Sequence, residues 1–207
     1  MLNQNRIYYV IVGLLFLMTD PSSAGTSEKL EIIAEWNSLP YELKDSQLKQ
    51  TWENSEIYGK SLIQGAKVDS QGNIYVSTAR WGGKEIPTTL SKLVKKENSW
   101  VLRPFPTEKM NDVNNPDGLK AVLGFEIDRN DVMWILDQGH IAGAPSEPGD
   151  EKLVLWDLKK NQEIQRYNFT DNDSDKKCSF LNDLAVDNDT GFAYIADSGI
   201  FCNPLHG

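Results

Sequence analysis

Three aspartates, Asp137, Asp183 and Asp197, stand where short apolar runs begin or end, and Asn182 precedes the second of them. Carboxylates grouped in this way hold an ammonium group through charge-assisted hydrogen bonds, or a cation. Arg80 beside Trp81 sets a planar cation next to an indole. That pair suits stacking on an aromatic ligand and gripping a carboxylate. The aspartates have a second chemistry open to them, because Asp in loops also caps turns by accepting backbone N–H bonds. Only His140 and His206 are available to a histidine-dependent triad, and His206, next to last in the sequence, is a poor place for a positioned base. The chain has no Gly-x-Ser-x-Gly elbow, no His-Glu-x-x-His, no P-loop and no dinucleotide fingerprint. Nothing compels catalysis, and no cofactor is implied.

Metal chemistry is equally unsupported. Two cysteines and two histidines exclude a four-cysteine zinc site and a histidine-rich one. Asp171, Asp173 and Asp175 look superficially like a calcium loop, but Lys176 stands where the EF-hand glycine belongs and Asn182 where its bidentate glutamate belongs. The segment reads as a solvated acidic loop.

The elements that must position these residues form a repeat. Gly65-Ala-Lys-Val-Asp69 with Tyr75-Val-Ser-Thr78 aligns with Gly124-Phe-Glu-Ile-Asp128 and Trp134-Ile-Leu-Asp137. Both align in turn with Asp183-Leu-Ala-Val-Asp187 and Tyr194-Ile-Ala-Asp197. Asp69, Asp128 and Asp187 recur every 59 residues. Each copy predicts an alternating strand, a tight polar turn and a second strand opening on an aromatic. Leu90 to Val94 and Lys152 to Leu158 predict third strands, leading to fourth strands at Arg103 and Arg166. Four short strands per unit without an intervening helix predict an all-β chain, a β-propeller of four-stranded blades. A β-sandwich with coincidental spacing is the alternative. Positions entering first strands (Gln64, Leu123, Asn182-Asp183) and leaving second strands (Arg80-Trp81, Asp137 with His140, Asp197) then cluster at one tunnel mouth. Leu30 to Trp36 predicts a further strand, and Tyr41 to Tyr58 a short helix or a loop.

Residues 1–24 predict a cleaved signal peptide. Arg6 precedes the apolar run Ile7 to Met18, and Ser22 and Ala24 fit small-residue cleavage before Gly25. The run spans only about 18 Å as a helix, short of a ~30 Å hydrocarbon core. A secreted product without a membrane span is therefore expected. Asn168, Asn172 and Asn188 each open an Asn-x-Ser/Thr acceptor for sugar. A formal net charge of −9 argues against nucleic-acid partners. Residues 25–207 hold about three repeats, whereas closed propellers usually have about four to eight blades. The sequence thus reads as a partial ring, with self-association expected if this length is the product.

These phrases resemble the Yellow / major royal jelly protein family. The resemblance is carried by Val68-Asp-Ser-Gln-Gly-Asn-Ile-Tyr75, Val76-Ser-Thr-Ala-Arg-Trp-Gly82, Leu102-Arg-Pro-Phe-Pro106, Val122-Leu-Gly-Phe-Glu-Ile-Asp128 and Lys152-Leu-Val-Leu-Trp-Asp-Leu158. It covers nearly all of Leu30 to Gly199. It implies a six-bladed propeller, with residues 25–207 as its N-terminal half, and a role as a non-enzymatic binder of a small amine or aromatic ligand at the tunnel mouth. The alternatives it leaves are a dopachrome-type tautomerase and a metal-assisted lactonase-like hydrolase. Family cysteines are missing from 111–119 and 143–151, which marks an outlying member that has lost one cystine. Cys178 and Cys202 flank the third hairpin at the same end, so a bridge between them is expected.

Overall fold

The computed structural model describes residues 9–15, 29–59, 61–142 and 150–199, with side chains from residue 31 onward. Two four-stranded antiparallel sheets dominate. The first contains β3 (Gly65–Val68), β4 (Ile74–Ser77), β5 (Leu90–Lys96) and β6 (Ser99–Pro104) in that order. The second contains β7 (Val122–Ile127), β8 (Val132–Gln138), β9 (Glu151–Asp157) and β10 (Gln162–Asn168), again in sequence order. A third hairpin pairs β11 (Leu181–Asp187) with β12 (Phe192–Asp197). The predicted blades are present as four-stranded units, and the third repeat contributes its first two strands.

Ahead of them, β1 (Tyr9–Leu15) runs antiparallel to β2 (Lys29–Trp36). The ambiguous segment from Tyr41 resolves partly into a helix, α1 (Ser46–Glu53), whose N-cap Asp45 accepts from the amides of Gln47 and Leu48. A one-turn helix, α2 (Glu108–Asn111), links β6 to β7, an element the repeat did not signal.

One physical device explains the 59-residue period. In each first hairpin the repeated aspartate caps its own turn. Asp69 Oδ1 accepts from Gln71 and Asn73, Asp128 Oδ1 from Asn130 and Val132, and Asp187 Oδ1 from Asp189 and Thr190. The turn then needs one left-handed residue, supplied by Gly72 (φ 80°), Asp131 (φ 62°) and Gly191 (φ 74°). Asp131 tolerates that backbone while its carboxylate accepts from the amide and hydroxyl of Ser70 in the neighbouring blade. The aromatic that opens the second strand reaches back to the same aspartate: Tyr75 Oη donates to Asp69 Oδ2 at 3.2 Å, and Trp134 Nε1 to Asp128 Oδ2 at 3.2 Å. Burial, and then Asp69, push the Tyr75 hydroxyl well above its ordinary pKa.

The core lies between sheets. Leu39, Tyr41 and Trp52 pack with Val76, Leu93 and Leu102 on one side of the first blade. Tyr75, Leu90 and Phe105 meet Val122, Phe125, Met133 and Ile135 between the two blades. Leu136, Leu181 and Leu184 join the second blade to the third hairpin. The face of β12 carrying Phe192 (64 % exposed) and Tyr194 (63 %) is open among the described residues.

The first strands β3, β7 and β11 stand side by side, as innermost strands should. Glycine permits this closeness. A Cβ on Gly124 would lie 2.7 Å from Asp183 Cα and 2.8 Å from the Asn182 carbonyl oxygen. Because those obstacles include backbone, Gly124→Ala is expected to destabilise by about 2–3 kcal/mol. Thermal unfolding should register that as a drop of roughly 4–12 °C, and an unchanged midpoint would contradict the packing.

Candidate functional site

The inner strands bring four of the anticipated residues together. Gln64, Leu123, Asn182 and Asp183 line one recess of about 280 Å³, with Gly65, Ala66, Lys67, Gly124 and Phe125 completing its wall. Asn182 and Asp183 are both exposed. Asp183 Oδ1 accepts from the Leu184 amide at 2.9 Å, which fixes the carboxylate against β11. Gln64 Oε1 accepts from Ala79 N at 2.8 Å, so its amide is oriented by the strand leaving the same blade. Lys67, at the lip of the recess, is paired with Glu126 (Nζ–Oε2 2.7 Å) in the next blade. The spacing reading missed this pair, although 67 and 126 are equivalent positions one period apart. The charge opposition was a usable signal.

Other anticipated residues have different duties. Arg80 is fully buried, not poised at a mouth. Its Nε donates to the Ile86 carbonyl, one Nη to Leu119 and Lys120, and the other Nη to Pro87 and Asn111. Burial pulls this guanidinium down to about 10, with Asp137 opposing the shift. It remains charged at neutral pH, and every donor direction is occupied by backbone.

Asp137 is also fully buried. It accepts from the amides of Lys120, Ala121 and Gly139, and lies 3.3 Å from the buried Lys152 Nζ. Asp197 repeats the motif in the third hairpin, accepting from Phe180 and Gly199. Burial raises the Asp197 pKa, but bonds from the Ser179 side chain and those two amides outweigh it and hold the carboxyl below its ordinary value. Both aspartates close the tops of hairpins, the capping chemistry that their residue type also allowed. The geometry leaves Asp183 as the carboxylate facing the recess.

Trp81 is 44 % exposed, and its ring lies 6.0 Å from that of Phe180, two residues before Asn182. Asn168, Asn172 and Asn188 are all exposed, and Asn188 Oδ1 accepts from Arg129 N across the blade junction. Cys178 stands just before β11, whereas Cys202 lies outside the described residues. Among the described residues no three His, Cys, Asp or Glu side chains gather as a metal ion would require, and no helix is long and apolar enough to cross a membrane.

Four-stranded antiparallel blades joined through adjacent inner strands define part of a β-propeller. Residues 120–201 match the major royal jelly protein family. The chain is 28 % identical over 184 residues to a dopaminechrome tautomerase of Drosophila melanogaster, covering 83 % of this chain and 39 % of that protein. It is 24 % identical over 160 residues to major royal jelly protein 8 of Apis mellifera (72 % and 36 % covered). Against major royal jelly protein 1 of the same species it is 23 % identical over 183 residues (86 % and 39 %). With the repeat and the blades, these matches make the chain similar to the Yellow / major royal jelly proteins over most of its length. It spans about two-fifths of the length of these relatives.

Proposed function

We propose that this chain forms the wall of a ligand site in a secreted Yellow-type propeller that binds a small amine bearing an aromatic ring. The observation that carries the reading is the exposed Asn182-Asp183 pair on β11, set beside Gln64 in one polar recess between inner strands. Asp183 supplies the counter-charge for an ammonium group, and the Asn182 and Gln64 amides supply further hydrogen bonds. Trp81, resting on Phe180, reports occupancy through its fluorescence.

The test is a titration with a panel of amines and indoles. Asp183→Ala is expected to weaken amine binding about tenfold, as loss of roughly 1.4 kcal/mol implies. Because Asp183 is exposed, its unfolding midpoint should stay within about 1–2 °C of the parent, as surface substitutions change stability by no more than ~0.5 kcal/mol. Equal affinity in parent and variant would overturn the assignment.

A second reading, isomerisation of a dopachrome-type quinone, is favoured by the dopaminechrome tautomerase among the relatives. It requires chelator-treated protein to consume dopachrome faster than the spontaneous rate. The same proposal takes residues 1–24 as a removed leader, Asn168, Asn172 and Asn188 as sugar acceptors, and Cys178–Cys202 as a bridge contributing about 3 kcal/mol. Intact mass before and after deglycosylation and reduction tests all three.

A further inference from the structure

A second polar cluster lies away from the recess, on the face of the second blade that packs toward the third hairpin. Gln138 and Glu151 are direct register partners across β8 and β9, so their side chains emerge side by side on the face carrying Leu136 and Leu153. Gln138 is 0 % exposed and Glu151 1 %. Among the described residues, neither Gln138 Nε2 nor Gln138 Oε1 has a hydrogen-bond partner, and Glu151 Oε1 accepts none either. The other Glu151 oxygen is occupied by the hydroxyl of Ser174, itself buried. His140 Nε2 lies 3.3 Å from Glu151 Oε1, and the His140 side chain is 19 % exposed, which makes it the cover of the cluster. Buried polar atoms are almost always satisfied, and the two ends of the Gln138 amide, beside a Glu151 oxygen that faces the His140 imidazole, call for an occupant.

We propose that Gln138 and Glu151 bind a neutral hydroxyl group, from water or from a small alcohol, beside His140. The choice follows from the inventory of donors and acceptors. Gln138 Nε2 requires an acceptor, whereas Gln138 Oε1 and Glu151 Oε1 require donors. An ammonium group has no acceptor for Nε2. A carboxylate or phosphate has no donor for either oxygen and would face the Glu151 charge. A hydroxyl or water oxygen accepts and donates at one atom, and so bridges the two side chains. The site is independent of the amine reading, since none of its residues lines the recess.

The experiment compares the full chain with Gln138→Met, which keeps the volume and removes the amide. An occupied site makes the amide stabilising, so the variant should unfold about 3–6 °C lower. An unoccupied site makes it a buried liability, and the midpoint would then be unchanged or raised. A high-resolution crystal structure of the parent, grown without polyol, should show density about 3 Å from Gln138 Nε2 and Glu151 Oε1, and this decides the matter if the variant fails to fold. Glycerol and ethylene glycol distinguish the sources: a larger rise in midpoint for the parent than for Gln138→Met assigns an alcohol, and equal rises assign water. Empty density, or a midpoint that is unchanged or higher in the variant, overturns the proposal.

Discussion

Replacing Arg80 by alanine is expected to remove about 5 kcal/mol of stability, enough to leave most of the chain unfolded or retained during expression. The expectation rests on what the guanidinium holds. From one fully buried position it bonds the carbonyls of Ile86 and Pro87 in the loop after β4, Asn111 at the end of α2, and Leu119 and Lys120 leading into β7. Those five acceptors belong to three segments that this side chain ties together. Removing it leaves several carbonyls buried without donors, and hydrogen bonds to charged groups are each worth roughly 1.5–3 kcal/mol. Arg80→Lys should lose nearly as much, because an ammonium has three donors and no planar fork. Denaturant unfolding of the alanine and lysine variants checks this. Normal stability with weakened ligand binding would instead make Arg80 a ligand contact.

The second large effect belongs to Asp137 and Lys152. Both side chains are 0 % exposed, with the carboxylate 3.3 Å from the ammonium. Lys152 Nζ also donates to the Asp150 carbonyl at 2.7 Å. Asp137→Ala leaves the Lys152 charge buried and the amides of Lys120 and Ala121 without their acceptor, so a loss of about 3–5 kcal/mol is expected. Adding Lys152→Met should return part of it, because the uncompensated charge goes while the chain's length and apolar stem remain. A double-mutant cycle read by thermal unfolding measures the coupling. Strict additivity would show that the two charges do not depend on each other.

Both predictions concern residues that the sequence offers as ligand candidates, and the reason they lie buried against the chain's own backbone is physical. Sequence periodicity shows that a residue stands at the end of a strand, and so shows which loops share a mouth. It does not show whether the side chain turns outward to solvent or inward to the chain's own amides. Asp137 and Asp197 lie where the backbone of the preceding segment arrives with unpaired N–H groups, and a carboxylate there satisfies two or three of them. Asp183 lies on the inner strand itself, where the Gly124 backbone is too close for a side chain and the aspartate faces the opening. The hairpins were legible because three constraints coincide in each: a capping aspartate, a left-handed turn residue and an aromatic opening the return strand. The short helix α2 was not legible, since four residues carry no helical period. Gln138 was invisible for another reason. Its significance comes from its opposition to Glu151, which lies across a strand pair and thirteen positions away in sequence.

The recess is bounded by three inner strands of a fold whose relatives are more than twice as long as the part matched here. Its ligand is thus best identified by observing where one binds. The most direct measurement is a crystal structure of the full chain with an aromatic monoamine, at a concentration that saturates the fluorescence change. The ammonium is expected within hydrogen-bond distance of the Asp183 carboxylate, flanked by Asn182 and Gln64. Density for the amine elsewhere, for instance in the groove of about 480 Å³ between α1 and α2, with the Asp183 recess empty, would contradict it.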